Sequence, residues 1–409
     1  MTLEQLNNEL ERKDIQLKDI LDITQAININ SSEESLYTMY RWILQGSLYV
    51  GKLALYVYED KWRCKVHFGT AQTPVALDTS TIGHLKEPTP LQDLPTIHTF
   101  LQEFDWVIPI LYKDAVLSFV FVEKYEHKAE SGHNPINIPF LQTLTNIIIV
   151  AIENKKLVRK QLKQELQNKE LEIAKRVQNM LIPRKLPHTE TLQMKATYQP
   201  HDLIGGDYYD YIPLVEGKFL LCIADVSGKG VPAALLMSNF QATLRMIVRH
   251  TYRLKNIIDE LNLLIYQNAQ GEHFITFFVA IYDTRKHILR YINAGHNPPY
   301  LFNKVTNEVA TLDIGTTVLG AFENLPFMEE GVVRELDNFL LFCFTDGVSE
   351  TMNETDEQFG TERLRRFLQY YPHANLEELH TLLLDKLYRF KKDVPFNDDI
   401  TMLSCRVIS

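Results

Sequence analysis

Apolar and polar positions alternate in several rhythms along this chain, and each change of rhythm marks a part. From about Thr2 to Ile29 apolar residues recur at helical spacing. Leu3, Leu6, Leu10, Leu17, Ile20 and Ile27 fall on a heptad-like seam that Lys13 and Thr24 interrupt. This predicts an amphipathic helix over residues 1–30, lying on its own domain or offering a seam to a second copy. Between Ser31 and Pro139 the rhythm is mixed. SEESLYTMYRWILQGSL reads as a helix with Ser31 or Ser32 available as its cap. KLALYVYEDKWRCKVHFG alternates as a hairpin does, turning near Glu59-Asp60, and FDWVIPILYKDAVLSFVFVEK reads as two more strands around Lys113-Asp114. A Pro- and His-rich loop follows, then a helix from Ile138. The order describes a small α+β module.

That last helix runs on through LVRKQLKQELQNKELEIAKRVQNML without Gly or Pro until Pro183. Val158 and Leu162 share one heptad seam, and Leu166, Ile173, Val177 and Met180 continue it with the register shifted by four. Such a stutter locally unwinds a coiled coil. Apolar residues kept on a seam in so charged a stretch predict a parallel, dimeric helical linker over 153–182. From residue 183 to 409 the chain reads as one strand-rich domain. KFLLCIADV, FITFFVAIYD, HILRYINAG, NFLLFCFTD and ITMLSCRVI are β-like by residue type. Helical stretches lie between them, notably after Gly230 and Gly360. Because strands and helices do not strictly alternate, the fold class expected is α+β rather than a doubly wound parallel sheet.

Composition narrows the function classes. With 42 basic and 52 acidic residues the formal charge is -10, which argues against nucleic acid or an anionic membrane as the main partner. Four cysteines in 409 residues make no disulfide framework. None has an Arg six positions later, so the phosphate loop of cysteine-based phosphatases is missing. The polar N-terminus has no signal-peptide core, and the longest aliphatic run, Ile147 to Ile152, is far below the ~20 residues of a membrane span. A cytoplasmic protein without a membrane span is expected.

The candidate chemistry lies where apolar runs stop. IGGDYYD (Asp207), IADVSGKGVPAA (Asp225), FCFTDGVSE (Asp346) and FNDDIT (Asp398, Asp399) each place aspartate at the end of a strand-like run. One such residue is ordinary turn chemistry. Four in one domain are another matter, because sheets bring strand ends together and converging carboxylates repel unless cations bind between them. Hard divalent cations such as Mg²⁺ or Mn²⁺ take oxygen ligands of this kind.

PHDLIGGDYYD, ADVSGKGVPAALLMS, FITFFVAIYD, NAGHNPPYL, FTDGVSE, FGTERL and NDDITML, in this order, resemble the metal-dependent protein phosphatases of the type 2C superfamily, in the bacterial branch named after stage II sporulation protein E. The resemblance covers about residues 170–409. It implies an α-β-β-α sandwich, two divalent cations (Mn²⁺ or Mg²⁺), and water as the nucleophile with no phosphorylated enzyme residue. It further implies that Asp225 bridges both cations, that the Val226 carbonyl and Asp207 serve the second, and that Asp346 and Asp398 serve the first. Asp399 and Asp210 are expected outside the ligand set. The implied substrate is a phosphoserine or phosphothreonine on a regulatory protein, an anti-sigma-factor antagonist. The family usually has Pro-Ala before its GGD motif; here the pair is Pro200-His201. His296 in AGH invites a general-acid reading, against a hydrogen-bonding turn histidine. By order of elements alone, residues 20–152 resemble a GAF sensor domain, whose ligand, a small molecule or a protein, stays open.

The residues admit two rival readings. Gly228-Lys229-Gly230-Val231-Pro232-Ala233 matches a relaxed dinucleotide fingerprint, but TLRMIVRHTYRLK offers no acid where one is needed for the ribose, and Ile223 stands where a Walker A loop needs glycine. The second rival is a catalytically silent dimeric sensor that uses the phosphatase fold only to bind a partner. The presence of all four aspartates weighs against it.

Overall fold

The computed structural model describes residues 3–80, 82–94, 99–112, 115–123, 137–303, 308–371 and 374–408. The chain divides into two compact units, Met1–Glu165 and Leu166–Ser409.

In the first unit α1 (Leu3–Asn28) and α2 (Glu33–Gly46) precede a sheet of β1 (Leu53–Glu59), β2 (Lys61–Phe68), β3 (Thr89–Pro90), β4 (Trp106–Tyr112) and β5 (Ala115–Val122). The strand order is β2-β1-β5-β4-β3 and every pairing is antiparallel. Ser32 is the residue that caps α2, its hydroxyl accepting from the Ser35 amide at 3.0 Å. The period of two along β1 sorts side chains between two cores. Leu53, Leu55 and Val57 pack with Tyr40, Leu44, Leu141 and Ile148 of the helices. Ala54 and Tyr56 pack with Phe100, Phe104 and Phe119 on the other face. The expected turn at Lys113-Asp114 and the loop over 124–136 lie outside the described residues.

The helix α3 (Ile138–Leu181) is continuous for 44 residues. Val158, Leu162, Leu166, Ile173, Val177 and Met180, the residues of the stuttered seam, are all exposed.

The second unit continues with β6 (Leu192–Gln199), β7 (Tyr208–Pro213), β8 (Lys218–Val226), α4 (Gly230–Val248), α5 (Leu254–Ala269), β9 (Ile275–Asp283) and β10 (Ile288–Ala294). Four short strands follow, β11 (Tyr300–Asn303), β12 (Glu308–Thr311), β13 (Gly315–Thr316) and β14 (Gly331–Val333). The chain closes with β15 (Phe339–Phe344), α6 (Asp346–Ser349), α7 (Thr361–Tyr370), α8 (Leu376–Lys391) and β16 (Ile400–Val407). One sheet runs β13-β10-β9-β8-β7 with β14 on β10, the other β12-β11-β15-β16-β6. Among the described pairings only β10 with β13 is parallel, as expected of an α+β fold.

Alternation again builds the layers. Along β8, Leu220, Cys222 and Ala224 face Met237, Phe240, Leu244, Ile258 and Leu261 of α4 and α5. Phe219, Leu221 and Ile223 face the second sheet, meeting Phe339, Leu341, Cys343 and Leu403. The outer face of that sheet (Phe342, Phe344, Met402) packs against Leu364, Phe367, Leu379 and Leu383 of α7 and α8. The result is helices, sheet, sheet, helices, with each fully buried Leu or Phe contributing about 1.5–3 kcal/mol. Among the described residues α4 is the one helix long and apolar enough to cross a bilayer. Its buried side, with Met237, Phe240 and Leu244, forms part of this core. All four cysteines are free, three of them buried.

Candidate active site

Sheet topology gathers the motifs at one edge of the sandwich. β8 ends at Val226, just past Asp225, and β7 begins at Tyr208, just past Asp207; the two strands are antiparallel neighbours. In the other sheet β15 ends at Phe344, two residues before Asp346, and its antiparallel neighbour β16 begins at Ile400, just past Asp398 and Asp399. A strand that ends and a neighbour that starts at the same edge deliver both aspartates to it. Asp225, Asp398 and Asp399 line one small cleft with His201, Gly205, Gly206 and Lys229.

Each carboxylate has its own surroundings. Asp207 is 1% exposed, and its Oδ2 accepts from the Thr345 hydroxyl at 2.8 Å and from the Thr401 hydroxyl. The Thr401 amide in turn donates to Thr345 Oγ1 at 3.1 Å, so two hydroxyls flanking the FTDG and DDIT aspartates hold the GGD aspartate. Asp399 is spent on the backbone: Oδ1 accepts from the His201 amide at 2.7 Å, Oδ2 from the Gly206 amide at 2.9 Å. His201 thus serves through its main chain, and its side chain lies at the rim beside Asp202. Asp398 Oδ2 meets the Lys229 ammonium at 2.9 Å, and the same ammonium donates to the Asn397 carbonyl. Asp210 is buried away from this cleft. It takes both Nε (2.7 Å) and a terminal nitrogen (2.9 Å) of Arg245 and a proton from the Tyr208 hydroxyl, tying β7 to α4.

Two glycines are required by close approach. A Cβ on Gly205 would stand 1.9 Å from Asp399 Oδ2, and one on Gly206 would stand 3.0 Å from the Val226 carbonyl oxygen. Gly228 and Gly230 turn the chain into α4 at φ 91° and 70°, backbone that other residues rarely adopt. The Gly205 backbone is itself gripped. Gln178 in the last turn of α3, 5% exposed, donates to the Gly205 carbonyl at 2.6 Å and accepts from its amide at 3.3 Å.

His296 is 4% exposed, and its Nδ1 lies 2.8 Å from the Thr276 hydroxyl. Thr276 is the cross-strand partner of Asp225. Burial lowers this imidazole to about 3. Burial thus favours the neutral ring, an enclosed histidine that hydrogen-bonds the cross-strand partner of Asp225.

Electrostatically the cleft is overloaded with negative charge. Burial, then the charges of Asp346, Asp398 and Asp399, push Asp225 up to about 8. Burial, then Asp398, push Asp346 to about 6. Asp207 is raised by burial and by Asp225, against the two threonine hydroxyls, and Asp399 is raised by burial. Asp207 and Asp225 act on each other through their negative charge, a repulsion that a proton or a cation between them relieves. Among the described residues no three acidic, imidazole or thiol side chains close on one point at ligand spacing. The oxygens of Asp207, Asp399 and Asp398 instead meet the hydroxyl, amide and ammonium partners named above. The donor set nonetheless fits hard divalent cations: it is all oxygen, mutually repelling, and backed by glycines that bring backbone carbonyls within reach.

The sequence reading did not mark Gln178, Thr345, Thr401 or Lys229. Thr345 and Thr401 sit inside the quoted motifs beside their aspartates, a signal available to it. Gln178 carries none, because its partner is a backbone 27 residues away.

Comparison with known proteins agrees with this geometry. Residues 215–408 match the family Stage II sporulation protein E (SpoIIE). The chain is 29% identical over 245 residues to phosphoserine phosphatase RsbU of Bacillus subtilis, covering 60% of this chain and 72% of that protein. It is 27% identical over 307 residues to protein IcfG of Synechocystis and 26% identical over 235 residues to phosphoserine phosphatase RsbP of Bacillus subtilis. It spans only about half the length of these two, 48% and 56%. Among solved structures, the SiaA-PP2C domain of Pseudomonas aeruginosa superposes with a TM-score of 0.53 at 23% identity, over 60% of this chain and 98% of that domain. Through its C-terminal region the chain is thus similar to the SpoIIE family and to relatives named phosphoserine phosphatase.

Proposed function

We propose that this chain is a signal-regulated, metal-dependent phosphatase that hydrolyses phosphoserine or phosphothreonine on a regulatory protein, in the cytoplasm. The observation that carries the reading is the gathering of Asp207, Asp225, Asp346 and Asp398 at one edge of the sandwich, with Asp225 raised by burial and by the charges of Asp346, Asp398 and Asp399, and Asp346 by burial and by Asp398. Two divalent cations, Mn²⁺ or Mg²⁺, are the natural occupants. Asp225, the Val226 carbonyl, Asp207, Asp346 and Asp398 would hold them. Bound there, such ions supply charge neutralisation at the phosphoryl group and an activated water. The chain's own part is positional. Thr345 and Thr401 orient Asp207, Asp399 orders the turn over 201–207, and Lys229 offers a positive charge at the rim of the cleft beside Asp398.

The substrate class follows the relatives named phosphoserine phosphatase, and an anti-sigma-factor antagonist is the regulatory protein proposed. The front unit is read as a GAF-like sensor of a small molecule or a protein, and the exposed seam of α3 as a coiled-coil contact in a homodimer. A change of register in that seam would reach the site through Gln178 and its grip on Gly205.

The test is release of phosphate from a phosphoserine peptide, with and without manganese, by the wild-type chain and by Asp225→Asn. Manganese-dependent release lost in the variant supports the assignment. Release that persists in Asp225→Asn overturns the site. Silence of both the full chain and residues 183–409, with the second unit shown to be folded, favours a silent binding module instead.

A further inference from the structure

The second unit has a second concave site. A cavity of about 750 Å³ opens between the first turn of α5 and the edge formed by β8, β9, β10 and β14. Six basic side chains line it (Lys218, Arg253, Lys255, Lys286, Arg290 and Arg334) against two acidic ones, Asp283 and Glu330. This excess of positive charge stands out in a chain of net charge -10.

The acidic residues do not neutralise the site. Asp283 lies 3.8 Å from Lys218, and Glu330 holds Arg290 at 3.0 Å. Lys255 is turned to the Met328 carbonyl at 3.1 Å. Arg253, Lys286 and Arg334 are exposed and have no acidic side chain within ion-pair distance among the described residues. Three unpaired cations around one concavity focus positive potential into it and raise the local concentration of anions. Arginine also offers a planar fork suited to phosphate oxygens. On the same wall Tyr252 presents a ring that is 40% exposed, a surface on which a flat ligand can stack.

The cavity is not an extension of the aspartate cleft. Lys218 opens β8 and Asp225 lies next to its end. Seven steps along a strand, at about 3.3 Å each, separate the two ends by roughly 23 Å. The two sites differ in sign as well as place: one gathers carboxylates, the other gathers basic side chains.

We propose that this cavity binds a small polyanion carrying both phosphate groups and an aromatic ring, the chemical class of a nucleotide. Its volume falls in the range of small-molecule sites. Arg253, Lys286 and Arg334 take the phosphates and Tyr252 the ring.

The experiment uses the full chain in low salt with EDTA, so that divalent cations carry no anion into the aspartate cleft. The probes are ATP, inorganic tripolyphosphate and poly-glutamate, read by calorimetry and by melting temperature. ATP is expected to bind and to raise the melting temperature by roughly 5 °C at about a hundredfold excess over Kd. The variant Arg253→Gln/Lys286→Gln/Arg334→Gln, whose side chains are exposed, should keep its unliganded melting temperature and its phosphopeptide hydrolysis while losing ATP affinity by about tenfold or more. Tyr252→Ala should weaken ATP and leave tripolyphosphate unchanged, and Asp225→Asn should bind ATP as the wild type does. Failure of ATP to bind at millimolar concentration, or equal affinity in the triple variant, overturns the proposal. Tripolyphosphate binding as tightly as ATP, with Tyr252→Ala without effect, overturns the nucleotide class. Poly-glutamate binding where ATP does not would make the cavity a docking surface for an acidic protein segment instead.

Discussion

Gln178→Ala tests how the end of α3 acts on the site. The side chain makes two hydrogen bonds to one residue, donating to the Gly205 carbonyl at 2.6 Å and accepting from its amide at 3.3 Å, in a spot where Gln178 is 5% exposed. Truncation leaves a buried carbonyl and a buried amide unpartnered, at about 1–3 kcal/mol each. Gly205 has nowhere to shift: a Cβ there would already lie within 1.9 Å of Asp399 Oδ2, and the next two residues are Gly206, bonded to Asp399, and Asp207. The cost therefore falls on the placement of Asp207. Loss of an outer partner of a ligand typically weakens metal binding by about 10–100-fold. The assay is phosphopeptide hydrolysis across a manganese series. Half-saturation is expected to move up by that factor, with most of kcat recovered at saturating manganese. Gln178→Glu keeps the acceptor but sets a carboxylate against the carbonyl oxygen, so it should fall with the alanine variant. If both variants keep the wild-type manganese dependence and lose only thermal stability, Gln178 is a packing residue and the proposed route from α3 to the site fails.

Thr401→Val removes one of the two hydroxyls on Asp207 Oδ2 without changing side-chain shape; manganese affinity should fall about tenfold or more, with little change in KM for peptide at saturating metal. Arg245→Ala strands the Asp210 carboxylate, whose side chain is 0% exposed, and should lower the unfolding free energy by about 3–5 kcal/mol in urea titrations. An effect below about 1 kcal/mol would mean the pair is solvated in solution. His380 is held neutral between Thr197 (2.8 Å) and Ser404 (2.7 Å), and burial lowers it to about 3. Its folded value lies below its unfolded 6.5, so the unfolded chain binds the proton first. Stability from this site is intact above pH 6.5 and falls as pH drops toward 3, by about 2 kcal/mol at pH 5. His380→Gln should flatten the urea midpoint between pH 7 and pH 5, and identical slopes would refute the assignment.

The legible parts of this protein are those whose cause is local. KFLLCIADV and FITFFVAIYD read as strands because β-branched and aromatic residues fill a half-buried surface at period two, and they fold as β8 and β9. The glycines before α4 mark a turn because positive φ leaves few other residues acceptable. In the second unit five strands and the two helices α4 and α7 were visible this way. β6, β7, the short strands β11 to β14, and α5, α6 and α8 were not marked; a strand of two to four residues, as in β11 to β14, carries too few positions to show a period.

The site divides along the same line. Aspartates at the ends of apolar runs announce themselves one motif at a time, because a strand must stop somewhere and a carboxylate does not stay in its core. Which carboxylates share a proton or a cation, and which one is consumed by backbone amides, is settled by pairing between distant segments. Asp398 and Asp399 are adjacent and chemically identical in the chain. The packing of the turn over 201–207 on β16 separates them, giving Asp399 the His201 and Gly206 amides and leaving Asp398 to the cleft. The Thr345 and Thr401 hydroxyls meet on Asp207 because β15 and β16 pair in one register, and a shift of one residue would turn both away. Composition and period determine which elements form and where charge collects. Contacts across 27 to 194 residues of sequence, such as Gln178 to Gly205 and Thr401 to Asp207, are decided only when two sheets close on each other.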